Sequence, residues 1–72
     1  MQYKLRTDTV FDENNAAFLV YGIDAVEENG EIVKSIADIF FDKNKAEEFI
    51  AVCNENELSI EHLEDVVDDV LV

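Results

Sequence analysis

The segment Leu58–Val70, LSIEHLEDVVDDV, holds the residues whose types and spacing could do chemistry. It contains the only histidine of the chain, His62, and places five carboxylates around it. These carboxylates are Glu61, Glu64, Asp65, Asp68 and Asp69. An imidazole beside carboxylates can ligate a metal ion or act as a general base that a carboxylate orients.

The same segment has the pattern of an amphipathic helix. At about 100° per residue, one side is apolar and the opposite side carries the five acids. The apolar side consists of Ile60, Leu63, Val66, Val67, Val70 and Leu71. His62 lies at the border, and no second histidine or nearby cysteine completes the set of about four ligands that zinc needs. We therefore interpret His62 as a residue on the solvent side of a helix, and predict no catalytic residue, no metal site and no cofactor.

The acidic side of this helix is locally unfavourable. Carboxylates four residues apart, such as Glu61 and Asp65, repel each other at a cost of roughly 0.2–0.5 kcal/mol per pair. Asp68 and Asp69 also oppose the helix dipole near its C-terminus. Because these acids are kept despite that cost, we predict that all five contact a protein partner.

Net charge and composition limit the class of protein. Among 72 residues, 18 acids and 5 bases give a formal charge of −13, which repels nucleic acid and membrane surfaces and attracts basic proteins. Apolar residues make up 49% of the chain, so it is expected to fold despite this charge. The single cysteine, Cys53, excludes an intrachain disulfide and favours a reducing compartment. With no membrane span and an N-terminus typical of folded structure, the sequence predicts one cytoplasmic domain over residues 1–72.

The first half of the chain has strand patterns. Tyr3–Phe11 alternates with period two, and the turn-forming DENN follows it. Ala16–Val26 is apolar on both sides, which is typical of a central strand covered on each face. Since so short a chain cannot readily supply both covers, we predict that Phe18 and Val20 contact a partner or a second copy, as in a homodimer. Gly22 within this strand predicts a bulge or a close backbone approach.

The pair Asn29-Gly30 predicts a hairpin with a two-residue type I′ turn. This turn pairs Val26 with Val33, Ile23 with Ile36, and Gly22 with Ala37. Apolar residues then lie opposite one another, which stabilises the pairing. The third strand is predicted from about Glu31 to Ile39.

After Phe41 the pattern becomes helical. Asp42 is a good N-cap, and apolar residues at helical spacing follow it to about Glu55. Asn54 or Asn56 is predicted to take a left-handed closing position, and Ser59 to cap the second helix. The predicted fold class is α+β, with a three-stranded antiparallel meander followed by two C-terminal helices packed on one sheet face.

Three stretches carry a resemblance to a known family. They are VYGIDAVEENGEI (Val20 to Ile32), Cys53-Asn54, and LSIEHLEDVVDDVL (Leu58 to Leu71). Through them the chain resembles a family of short acidic proteins of unknown function from anaerobic Gram-positive bacteria of the clostridial kind. The resemblance implies a stand-alone cytoplasmic protein and brings no activity, cofactor or catalytic residue.

Three classes of function follow from the sequence. The favoured hypothesis is a small acidic protein–protein interaction or regulatory module that binds a basic protein or its own second copy. The alternative is a nucleic-acid mimic, whose carboxylates are arrayed like phosphates and inhibit a DNA- or RNA-binding protein. An enzyme is the least favoured class, because the sequence contains no plausible catalytic constellation and little room for a pocket.

Overall fold

The computed structural model describes residues 1–71 and has an α+β fold. Three antiparallel strands in the order β1-β2-β3 precede two helices that pack against the sheet. The elements are β1 (Gln2–Phe11), β2 (Ala17–Val26), β3 (Ile32–Phe40), α1 (Lys43–Glu55) and α2 (Ile60–Leu71). The fold class and the order of elements predicted from the sequence are confirmed.

Both helices pack on one face of the sheet, which we call the helix face. It carries the side chains of Tyr3, Ile23 and Ala25, because Tyr3 pairs with Ala25 and side chains alternate along a strand. These residues join Leu63 of α2 and Cys53 of α1 in one buried apolar cluster. Because the sequence of α2 has a weak helix propensity, burial of this cluster is what stabilises the helices on the sheet.

The hairpin between β2 and β3 differs from the predicted one. The backbone N–H of Gly30 donates to the Glu27 carbonyl at 2.9 Å, and Gly30 has a φ of 86°. Asn29 is absent from the positive-φ residues of the described chain, whereas a type I′ turn needs a positive φ at both positions. The loop is therefore a type I turn followed by a left-handed glycine. The predicted pair Ile23–Ile36 is confirmed, but Val26 pairs with Ile32 and not with Val33.

A second irregularity lies beside Gly22 in β3. Tyr21 pairs with Phe40 and Ile23 with Ile36, so β3 uses two more residues than β2 over this interval, and the predicted pair Gly22–Ala37 is wrong. A Cβ atom added to Gly22 would lie 2.1 Å from the Ile36 carbonyl oxygen. The close backbone approach predicted at Gly22 is therefore confirmed, and it coincides with an irregularity in the pairing of the two strands.

Helix α1 begins and ends with two recognisable caps. The Asp42 side chain accepts a hydrogen bond from the Asn44 N–H at 2.8 Å, as predicted for an N-cap. At the other end, the Leu58 N–H donates to the Cys53 carbonyl and the Glu57 N–H to the Asn54 carbonyl, which is a Schellman motif. The left-handed residue is Glu57, with a φ of 48°, so the prediction of Asn54 or Asn56 in that role is wrong.

Asn54 instead binds the edge of the sheet. Its side-chain amide accepts from the backbone N–H of Tyr3 at 2.8 Å and donates to the Tyr3 carbonyl at 3.0 Å. The Tyr3 hydroxyl donates to the Leu58 carbonyl at 2.6 Å. These three bonds fix the end of α1 and the following loop to the start of β1.

Candidate partner-binding groove

An open apolar groove runs between α1 and α2 on the outer side of the helix layer. It is lined by Phe40, Lys45, Glu48, Phe49, Val52, Val66, Asp69 and Val70. The Phe40 and Phe49 rings pack with their centroids 5.5 Å apart at its base. Val52 is 53% exposed and Val70 is 41% exposed, so the groove presents apolar side chains to solvent from both helices.

Two helical stripes build this groove. On α1, Lys45, Glu48, Phe49 and Val52 follow the three- and four-residue spacing that lines one side of a helix. On α2, Val66 and Val70 are one turn apart, with Asp69 beside them. Each helix therefore has two apolar stripes. One stripe packs on the sheet, and the other lines the groove beside the neighbouring helix.

The charge around the groove is mainly negative. Glu48 and Asp69 line it directly, and Lys45 is the one basic residue among its lining side chains. The five acids of α2 are all exposed, and α2 carries no lysine or arginine. A cationic segment would therefore be attracted to this side of the molecule, over distances up to about the Debye length.

The structure separates the five acids that the sequence predicts as partner contacts. Asp69 lines the groove. Glu64 accepts a hydrogen bond from the Lys34 ammonium group of β3, and Asp68 lies with Glu64 beside Ile36 on the other side of α2. Glu61 and Asp65 are exposed on the outer surface of the helix. The acidic surface therefore extends well beyond the groove.

Phe18 and Val20 lie on the sheet face opposite the helices, far from the acids of α2. Val20 is only 1% exposed, so the chain itself covers it, and a partner on this face would contact Phe18 instead. The Phe18 ring is 41% exposed and packs on Phe41 with centroids 6.1 Å apart. The structure does not bring the two predicted partner surfaces together.

A polar network lies on the same face. Arg6 forms an ion pair with Asp8 at 2.7 Å, and Asp24 lies 3.7 Å from the same guanidinium group. The hydrogen bond and charge of Asp8 raise the pKa of Arg6. Ser35 donates to Asp24 at 2.6 Å, so this network joins all three strands.

The two residues that could do chemistry, His62 and Cys53, lie in different surroundings. His62 is exposed on α2, in agreement with its predicted place on the solvent side of the helix. Cys53 is buried in the core, and this burial raises the pKa of its thiol. In residues 1–71, no group of three or more histidine, cysteine or acidic side chains is arranged to hold a metal ion.

The sequence did not predict the groove, because the apolar side of α2 was interpreted as a single surface that packs on the sheet. Val66 and Val70 lie at the margin of the apolar side of α2. Val52 lies outside the buried stripe of α1, which consists of Ala46, Ile50 and Cys53. The signal was the width of the apolar pattern: Phe49 with Val52 on α1, and Val66 with Val70 on α2. Phe49 packs on Phe40 of β3, whereas Val52 and Val70 stay exposed to solvent.

Fold and surface together define a class: small α+β proteins in which a three-stranded meander supports two helices and an apolar groove between them. The chain belongs to the Family of unknown function DUF6514, whose model matches residues 1–72. The clostridial range implied by the resemblance stays a prediction. No curated protein and no solved structure matches the chain. Neither helix in residues 1–71 combines the length and apolarity needed to cross a bilayer.

Proposed function

We propose that this protein is a small cytoplasmic interaction module that binds a basic, amphipathic segment of a partner protein in the groove between α1 and α2. The observation that carries the proposal is the exposure of Val52 and Val70 beside Asp69. An amphipathic helix that places apolar side chains in a groove and basic side chains over an acidic rim uses both features. The proposed role is binding without catalysis, and it needs no cofactor.

Charge and apolar contact have separate roles in this proposal. The formal charge of −13 steers a basic segment toward the protein and raises its association rate at low salt. The apolar side chains supply the contact that remains when salt screens the charge. Binding of the segment is therefore expected to weaken with salt but not to vanish.

The test uses a synthetic amphipathic helix of leucine and lysine, titrated into the full chain by calorimetry. Val70→Asn is expected to weaken binding by about tenfold, which corresponds to ~1.4 kcal/mol. Val33→Asn is the matched control, because Val33 is also 41% exposed but lies on β3. Unchanged binding by Val70→Asn, or an equal loss in both variants, would contradict the proposal.

The same titration separates this role from nucleic-acid mimicry. Mimicry predicts that binding depends on the outer acids Glu61 and Asp65 and not on the groove valines. Under the groove proposal, Glu61→Gln changes affinity by less than the Val70→Asn variant does. A reversed order of the two effects would favour mimicry of the phosphate backbone.

A further inference from the structure

Strand β1 lies at an edge of the sheet and has backbone groups that point away from β2. Tyr3 shows this direction, because its N–H and C=O both bond to Asn54 outside the sheet. Outward and inward residues alternate along an antiparallel strand, so Leu5, Thr7 and Thr9 direct the same groups outward. Such a row of groups is a template for pairing with another strand.

The charge of β1 differs from that of the rest of the molecule. It carries Lys4 and Arg6 against the single acid Asp8, which gives +1 in a chain of formal charge −13. Two copies that meet at β1 join through their least acidic element, and α2 of each copy stays away from the other. We propose that β1 pairs antiparallel with β1 of a second copy about a two-fold axis at Thr7.

Charge selects this register. The outward backbone groups require odd-numbered residues of one copy to face odd-numbered residues of the other. A two-fold axis at Arg6 or at Asp8 would set like charges directly opposite each other, which is destabilising. An axis at Thr7 sets Arg6 of each copy opposite Asp8 of the other. The four charges then alternate in sign across the junction.

Two neighbouring registers are also disfavoured. An axis at Leu5 would set Lys4 opposite Arg6 and would require the backbone groups of Tyr3, which Asn54 already occupies. An axis at Thr9 would set Asp8 opposite Val10, which forms no ion pair within the strand. The Thr7 register leaves Leu5 to Thr9 free to pair, with about six backbone hydrogen bonds across the junction.

The two-fold arrangement also covers apolar side chains that the single chain leaves exposed. On the helix face, Phe11 is 66% exposed and Leu19 is 49% exposed, because the far end of the β1–β2 hairpin extends past the helices. The axis keeps both helix faces on the same side of the joined sheet. Because Asn54 occupies the edge beside Tyr3, pairing ends at Thr9, and Phe11 lies past the last paired residue, toward the end of α1 of the second copy. The helical layer of each copy then borders the exposed hairpin of the other.

The β1 pairing extends the proposed interaction role, with a second copy as the occupant of a different surface. It holds whether or not the groove binds a peptide. The first test is disulfide cross-linking of Thr7→Cys and Thr9→Cys chains under mild oxidation, with the buried Cys53 left in place. In the Thr7 register the two Thr7 Cα atoms lie about 5.5 Å apart, within the range for a disulfide. The two Thr9 Cα atoms lie roughly 14 Å apart, outside it.

We expect covalent dimers of Thr7→Cys, and none of Thr9→Cys or of the wild type. Cross-linking of Thr9→Cys in place of Thr7→Cys would overturn the register. Sedimentation equilibrium supplies a second measurement, with Thr7→Pro and Thr7→Val compared. Proline removes the outward N–H and is tolerated at a strand edge, whereas valine keeps that donor.

The wild type and Thr7→Val are expected to dimerise, and Thr7→Pro to raise the dissociation constant by about tenfold or more with an unchanged circular dichroism spectrum. A monomeric wild type at the highest soluble concentration would overturn the inference. A dimer that Thr7→Pro leaves intact would also overturn it. Peptide binding measured on monomeric Thr7→Pro reports on the groove alone, so failure of one proposal is distinguishable from failure of the other.

Discussion

The side chain of Asn54 pairs with the backbone of Tyr3 as a neighbouring strand would. Its amide oxygen accepts a hydrogen bond from the Tyr3 N–H at 2.8 Å, and its amide nitrogen donates one to the Tyr3 carbonyl at 3.0 Å. Two backbone groups at the edge of the sheet are thereby satisfied from the last turn of α1. This pair of bonds connects the first strand to the helical layer across 51 positions of sequence.

Replacing Asn54 with alanine is expected to lower the free energy of unfolding by about 1–2 kcal/mol, because two partly buried backbone groups lose their partners. Asn56→Ala is the control, since the Asn56 amide binds only the exposed Val52 carbonyl at 2.9 Å. Its loss is expected to stay within about 0.5 kcal/mol. Urea denaturation followed by circular dichroism measures both, and equal losses would contradict a special role for Asn54.

Alkaline pH is expected to destabilise the protein through Tyr3 and Cys53. Burial raises the pKa of the Tyr3 hydroxyl and of the Cys53 thiol above their ordinary values of 10.0 and 9.0. For a raised pKa, the stabilisation is complete below the ordinary value and is lost as pH rises through the folded-state value. Urea denaturation from neutral pH into the alkaline range is therefore expected to show falling stability above about pH 9. Tyr3→Phe removes one of the two groups, and its stability is expected to fall less steeply than that of the wild type.

Glu57 is expected to be a site where glycine stabilises the fold. Its φ of 48° places a side chain in the left-handed region, which costs roughly 1–2 kcal/mol for a residue with a Cβ atom. Glu57→Gly is expected to raise the free energy of unfolding by about 1 kcal/mol. Glu57→Gln removes the charge but keeps the Cβ atom. If thermal denaturation shows the same gain in both variants, charge and not backbone conformation is the cause.

The two glycines are expected to respond differently to alanine. At Gly22 the new Cβ atom would overlap the Ile36 carbonyl, so strands β2 and β3 would have to separate. At Gly30 the space is open, and the cost comes only from the φ of 86°. Gly22→Ala is expected to cost about 2–3 kcal/mol and Gly30→Ala about 1 kcal/mol. The reverse order in chemical denaturation would show that the close approach at Gly22 relaxes without penalty.

Local patterns in the sequence predicted the elements well but predicted their connections less well. The alternation in β1 and the helical spacing after Asp42 are local periodic patterns, and the strand and the helix that they predict are confirmed. The turn at Asn29-Gly30 has two solutions, which differ in the backbone conformations of Glu28 and Asn29. The register at Val26 changes by one residue between them. Sequence alone does not choose, because Gly30 is left-handed in both.

The role of Asn54 is a similar case. An asparagine near a helix end fits a left-handed cap, and nothing local indicates that its amide reaches Tyr3. Once Asn54 is used at the sheet, Glu57 takes the left-handed position that closes α1. Long-range contacts decide such choices, and a short pattern does not contain them. The groove was not predicted for the same reason. Which apolar side chains of the helices face the sheet and which line the groove depends on how the helices pack, and the sequence pattern does not show this.

The irregular pairing of β3 has a consequence for how the sheet can grow. The register of β3 shifts at two places, and Asp38 has a φ of 59°, so this edge does not present an even row of backbone groups. Irregular edges of this kind resist further strand addition. A strand can therefore join at β1 but finds no matching template at β3. If β1 pairs as we propose, we expect the sheet to end after that one joining step and not to polymerise into a fibre, although an exposed strand edge is a common starting point for aggregation.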